Sequence, residues 1–126
     1  VDSKGYVSHE KAIGLIKSSN ILVNFTYKST EETDMLSGKL IEYLATGSPI
    51  INFSEDAEES KLILSLSQKS FNADSSSGNR VAEFIIKEYE SWMRGNYKKQ
   101  NLNNIEFLTR EKLTKNLVDI INKIKS

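Results

Sequence analysis

Two short stretches dominated by apolar and aromatic residues, 21–27 and 50–53, and a third short candidate strand, 70–73, each follow a segment with helical apolar spacing. This repeated order of helix then strand constrains the fold more than any other feature of the chain. Strands joined by helices pair in parallel, because the chain must cross back over the sheet before the next strand begins. Ser8 is expected to cap a first helix reaching about residue 19, with Ala12, Ile13, Leu15 and Ile16 on one apolar face. The stretch 21–27 is almost continuously apolar, as a strand covered on both sheet faces would be. Residues 28–36 read as a polar, acidic loop ending in Met35-Leu36. A second helix opens at Ser37 and carries Leu40, Ile41, Leu44 and Ala45 inward. Gly47 stands where a left-handed helix end belongs, and Pro49 prevents the helix from continuing. Ser54 is expected to cap a third helix over about 55–67, and 74–79 has the composition of a loop. Two longer helices follow, joined by a polar segment at 95–104. Their apolar stripes are Val81, Ile85, Tyr89 and Trp92 on the first, and Leu113, Leu117, Ile120, Ile121 and Ile124 on the second.

The fold class that this pattern predicts is α/β: a partial Rossmann-like sheet of three or so parallel strands, with crossover helices and a helical C-terminus. A doubly wound sheet has about five or six strands. Residues 1–126 are therefore expected to form a single unit equivalent to the second half of such a domain. Its unpaired sheet edge invites self-association.

Composition narrows the function classes. The 17 basic and 17 acidic residues of the 126 balance to a net charge of zero, which gives no support for a nucleic-acid or membrane-surface partner. There is no cysteine, and His9 is the single histidine, so neither a disulfide nor a clustered zinc site is expected. The apolar runs fall far short of the roughly 20 residues that span a bilayer, so no transmembrane segment is expected. Val1-Asp2-Ser3-Lys4-Gly5 lacks the apolar core of a secretory signal, and the chain does not open on methionine. A piece of a longer cytoplasmic protein is the expectation.

The stretch that carries chemistry is Ser37-Gly38-Lys39 with Glu42 one turn later. A helix start offers unpaired backbone amides and the positive end of the helix dipole, which favour a phosphate. Gly38 lets a ligand approach the backbone, and Lys39 places in the first turn a positive charge that an anion would compensate. A carboxylate at Glu42 can accept hydrogen bonds from the paired hydroxyls of a ribose. The same residues also read as a plain helix cap, a solvated lysine and a surface carboxylate.

The run Ser37-Gly38-Lys39-Leu40-Ile41-Glu42-Tyr43-Leu44-Ala45-Thr46-Gly47-Ser48-Pro49 resembles the donor-site motif Ser/Pro-x-Lys-Leu-x-Glu-Tyr-x-Ala-x-Gly-x-Pro. That motif belongs to the GT-B glycosyltransferases of the large group that includes sucrose-synthase-like and mannosyl-transferring enzymes (glycosyl transferases group 1). Gly5-Tyr6-Val7 resembles the group's Gly-x-Val loop, and Ser18-Ser19-Asn20-Ile21-Leu22-Val23 stands where it has Ala-Asp-Val-x-Val. Phe107-Leu108-Thr109-Arg110-Glu111-Lys112-Leu113-Thr114 resembles its Phe-Ser-Arg-Glu-x-Leu-Thr before the last helix. The matches occur in the group's order and span nearly the whole chain.

The resemblance implies the C-terminal part of a nucleotide-sugar-binding domain, within an enzyme that moves a sugar from a UDP- or GDP-linked donor to a sugar or lipid-linked acceptor. The acceptor would be held by an N-terminal domain outside this chain. By resemblance, Ser37, Gly38 and Lys39 face the donor diphosphate, Glu42 holds the ribose, and Tyr6 and Val7 border the nucleobase. Asp34 takes the place of a glutamate that contacts the donor sugar. Aspartate is one methylene shorter, and Glu31 and Glu32 stand close by as alternatives. No metal or other cofactor is implied. The parent enzyme would be cytoplasmic, or peripheral at the inner membrane face, and the isolated chain inactive. A nucleotide-sugar epimerase on the same fold and a non-catalytic α/β binding module are the alternatives. His9 reads as an exposed first-turn residue. Tyr89 and Trp92 read as core or as contacts to another domain, and Lys98, Lys99, Lys112 and Lys115 as a solvated face.

Overall fold

A computed structural model describes residues 1–26, 38–54, 64–100 and 110–125. In chain order the elements are α1 (His9–Ser18), β1 (Leu22–Thr26), α2 (Gly38–Ala45), β2 (Ile50–Ser54), β3 (Ser70–Ala73), α3 (Gly78–Met93) and α4 (Arg110–Lys125). The chain is α/β, with an open parallel sheet of three strands in the order β1-β2-β3 among the described residues. The expected third helix lies in residues 55–63, outside those described, except that Leu64 and Ser65 are helical.

Local signals fix the first units. The Ser8 side chain accepts from the Lys11 amide at 3.4 Å, which starts α1. At its other end the hydroxyls of Ser18 and Ser19 both donate to the Leu15 carbonyl, at 3.0 and 2.8 Å. α2 ends at a glycine with φ +69°, Gly47, whose amide returns to Leu44. Pro49 then turns the chain into β2, and its carbonyl accepts from the Leu22 amide at 2.9 Å. The end of α2 is thereby tied to the start of β1. Because β1 runs away from that point, α2 runs back along the sheet. Its first turn therefore points toward the carboxyl ends of the strands.

One sheet face is the core. Leu22 and Ile50 project onto it and meet Leu40, Tyr43 and Leu44 of α2, with Leu64 and the partly buried Ile16 of α1. Leu40, Leu44 and Ile50 are fully buried, each stabilising by about 1.5–3 kcal/mol. Two strand positions later the same face carries asparagines in register, Asn24 beside Asn52 beside Asn72. The Asn24 amide donates to Asn52 at 2.7 Å, and the Asn52 amide donates to Asn72 at 3.1 Å.

The other face is covered unevenly. α3 lies over β3, where Phe84 stacks on Phe71 at 5.7 Å and the Arg80 guanidinium sits 4.9 Å from the Phe71 ring. Over β1 the face is open: Val23 is 43% and Phe25 61% exposed, although Phe25 stacks on Phe53 at 5.0 Å. The expectation that β1 is covered on both faces is thus corrected. Its continuous apolarity reflects a covered face and an open aromatic one. The stripe expected to bury α3 is also corrected. Phe84 and Glu88 face inward, whereas Ile85, Tyr89 and Trp92 are exposed. The inward turn follows the ring contact between Phe84 and Phe71. That contact depends on a strand position and is invisible to helical periodicity.

A strap over residues 96–100 crosses the amino end of the sheet. The Tyr97 hydroxyl donates to the Asn20 carbonyl at 2.8 Å, and the Gln100 amide to the Gly47 carbonyl at 2.8 Å. Lys99 donates to the Lys17 carbonyl, and the Ser67 hydroxyl donates to Gln100 Oε1 at 3.0 Å. Every described side chain of α4 is exposed.

Candidate functional site

α2 is the element that presents the expected site. It spans eight residues from Gly38, and its apolar side, Leu40 and Leu44, is locked into the core. That anchoring turns Lys39 and Glu42 outward, and both are exposed. Among the described residues neither makes an ion pair. The first turn therefore offers a lysine and backbone amides on the side of the strand carboxyl ends. In an open parallel sheet that side is where ligands bind. Ser37 and Asp34, with Glu31 and Glu32, lie outside the described residues.

Glu42 faces a cavity of about 380 Å³ between α1 and α2. Ile13, Ile16 and Ala45 make its apolar walls, and Lys17, Thr46 and Lys99 close the end away from Glu42. The first turn of α2 is outside it: Lys39 does not line this cavity. Glu42 thus stands between the helix start and the cavity. The neighbouring Tyr43 phenol is pushed up, first by burial and then by the Glu42 charge. The Thr46 hydroxyl is already engaged, donating to the Tyr43 carbonyl at 2.7 Å and accepting from the Ser48 amide at 3.1 Å. Lys99 is held at the rim by its bond to the Lys17 carbonyl.

Tyr6 is fully exposed and Val7 partly buried, just ahead of the Ser8 cap. Gly5, with φ +61°, turns the chain into them. Neither lines the cavity. His9 is exposed. Tyr89 and Trp92 are exposed too, with ring centroids 5.9 Å apart, so the core reading of this pair is corrected. Among the described residues no group of three or more histidine, cysteine, aspartate or glutamate side chains could hold a metal ion. No described helix is long and apolar enough to cross a membrane.

Two features escape sequence reasoning. The cavity needs α1 and α2 side by side with Lys99 brought across from residue 99, a juxtaposition no local pattern encodes. The asparagine ladder did leave a signal: an asparagine third in each strand, followed by phenylalanine in β1 and β2. Comparison of the chain with protein-family models, with curated proteins and with solved structures finds no match.

Proposed function

We propose that the chain is the second half of a Rossmann-like donor domain in a GT-B-type glycosyltransferase, binding the diphosphate and ribose of a nucleoside-diphosphate sugar. The observation that supports it best is the setting of α2. The helix start points to the carboxyl side of a parallel sheet, with Lys39 in its first turn and Glu42 exposed in its second. On this reading the amides at Gly38 and the Lys39 ammonium stabilise the diphosphate as it leaves, and Glu42 accepts from the ribose hydroxyls. Asp34 and Ser37 complete the site by resemblance to the group's motif. The parent enzyme passes the sugar to a sugar or lipid-linked acceptor held by another domain. It works in the cytoplasm or peripherally at the inner membrane face.

An NMR titration of the chain with UDP and GDP at millimolar concentration tests the reading. Shifts are expected at the amides of Gly38, Lys39 and Glu42, and Lys39→Ala should weaken binding by about tenfold, the loss of one charge-assisted contact. Binding that is indifferent to both Lys39→Ala and Glu42→Ala would remove the proposal. A second reading, a non-catalytic binding module, draws on Asp34 standing where the group's motif has glutamate. Such a module should bind neither nucleotide.

A further inference from the structure

The cavity between α1 and α2 is polarised along its length. Glu42 stands at one end and Lys17 and Lys99 at the other, with apolar walls of Ile13, Ile16 and Ala45 between them. From Glu42 to Thr46 α2 rises by about 6 Å, which sets the length of the apolar stretch. The volume of about 380 Å³ is that of a small-molecule pocket.

Capping does not account for the lysines. α1 and α2 both end at that rim, and a helix end favours a cation. The carbonyls there already have donors, however. The Ser18 and Ser19 hydroxyls serve Leu15, the Ser19 amide serves Ile16, and the Gly47 amide serves Leu44. Lys99 spends one N–H on the Lys17 carbonyl and keeps two. Among the described residues the Lys17 ammonium has neither an acceptor nor an ion pair, and Lys99 has no ion pair. The Thr46 hydroxyl has its donor filled by the Tyr43 carbonyl. Two cations thus converge on the mouth of an apolar cavity, one from α1 and one from the strap.

That arrangement favours one kind of occupant. A cation meets like charge at the lysines. A neutral apolar molecule covers the walls and leaves both ammoniums without a counter-charge. A carboxylate pairs with them through charge-assisted hydrogen bonds, and an aliphatic chain behind it covers the walls. The Glu42 carboxylate repels an anion from the opposite end and so fixes its direction. We infer that the α1/α2 cavity binds a short aliphatic carboxylate, its head between Lys17 and Lys99 and its chain along Ile13, Ile16 and Ala45. The head lies away from Gly38 and Lys39, so this site stands or falls separately from the donor site.

NMR titrations of the chain with acetate, butanoate, hexanoate and the neutral hexanamide test it. Hexanoate should shift the amides of Ile13, Ile16 and Ala45. Affinity should rise from acetate to hexanoate by up to about fourfold for each methylene buried. Hexanoate should bind about tenfold more tightly than hexanamide. Lys17→Met should remove that advantage and leave hexanamide binding unchanged, which also shows that the variant is folded, and Lys17→Arg should keep it. Equal affinity for hexanoate and hexanamide overturns the inference, as does a series flat in chain length. Hexanoate binding indifferent to Lys17→Met overturns it too, and so does the absence of hexanoate shifts at Ile13, Ile16 and Ala45. None of these outcomes touches the nucleotide response at Gly38 and Lys39, which tests the donor site alone.

Discussion

Gly47 meets two constraints at once. Its φ of +69° is a region L side chains rarely adopt, and a Cβ there would stand 2.0 Å from the Gln100 carbonyl oxygen. Gly47→Ala should therefore cost about 2–4 kcal/mol, read as a lower urea midpoint, because strain and backbone clash add. An unchanged midpoint would show that the strap does not rest on this residue. Asn52 is the hub of the ladder. Asn52→Leu removes the acceptor of the Asn24 amide and the donor to Asn72, an expected loss of about 1–3 kcal/mol in the same measurement. Asp74 carries the pH dependence. The Ser76 and Ser77 hydroxyls and the Ser76 amide donate to its carboxylate and hold it below the usual carboxylate range. A lowered folded value means that the stabilisation is present above the ordinary 3.8 and is lost as pH falls through the lowered value. Asp74→Ala should accordingly be less stable than the parent at neutral pH. The gap should narrow as pH falls from the ordinary 3.8 through the lowered value, and a gap that stays constant over that fall would contradict the assignment.

Among the elements, α2 and α4 make opposite use of the same amphipathic pattern. α2 buries Leu40 and Leu44 completely, so its outward residues are held in place by packing. Leu44→Ala should cost about 2–5 kcal/mol through the cavity it leaves, whereas Ile120→Ala on exposed α4 should stay within about 0.5 kcal/mol. Thermal melts of the two variants side by side would expose any error in this contrast. Gly47, Pro49 and the Ser8 cap made α1, α2 and β2 legible in the sequence, because caps and breakers act on their nearest neighbours. The inward side of α3 was not legible. Its periodicity fits several orientations, and the Phe84–Phe71 contact chooses among them.

For the molecule as a whole, the open side of β1 is the notable surface. Among the described residues β1 ends the strand order and pairs on one side alone, and Val23 and Phe25 stand exposed on its open face. An edge of this kind pairs readily with another chain. Sedimentation velocity should show association rising with concentration across the micromolar range, and Phe25→Lys should suppress it, since a charge on an edge strand opposes pairing. A strictly monomeric parent would remove this expectation. Burial adds a second pH dependence, at the alkaline end. It pushes the Tyr43 and Tyr97 phenols up, so their contribution is whole below the ordinary value of 10.0 and fades as pH rises through the folded values.

The sequence by itself determined the α/β class, the parallel pairing and the helix opening at Gly38, because periodicity, caps and breakers are local and crossover connections leave only one way to pair. Only the tertiary structure decided which faces are covered and what Glu42 faces. Those depend on contacts between residues far apart in the chain: Phe71 with Phe84, Lys17 with Lys99, and Gly47 with Gln100. No window of sequence contains both partners of such a contact. Packing brings them together, and packing made the groove beside α2.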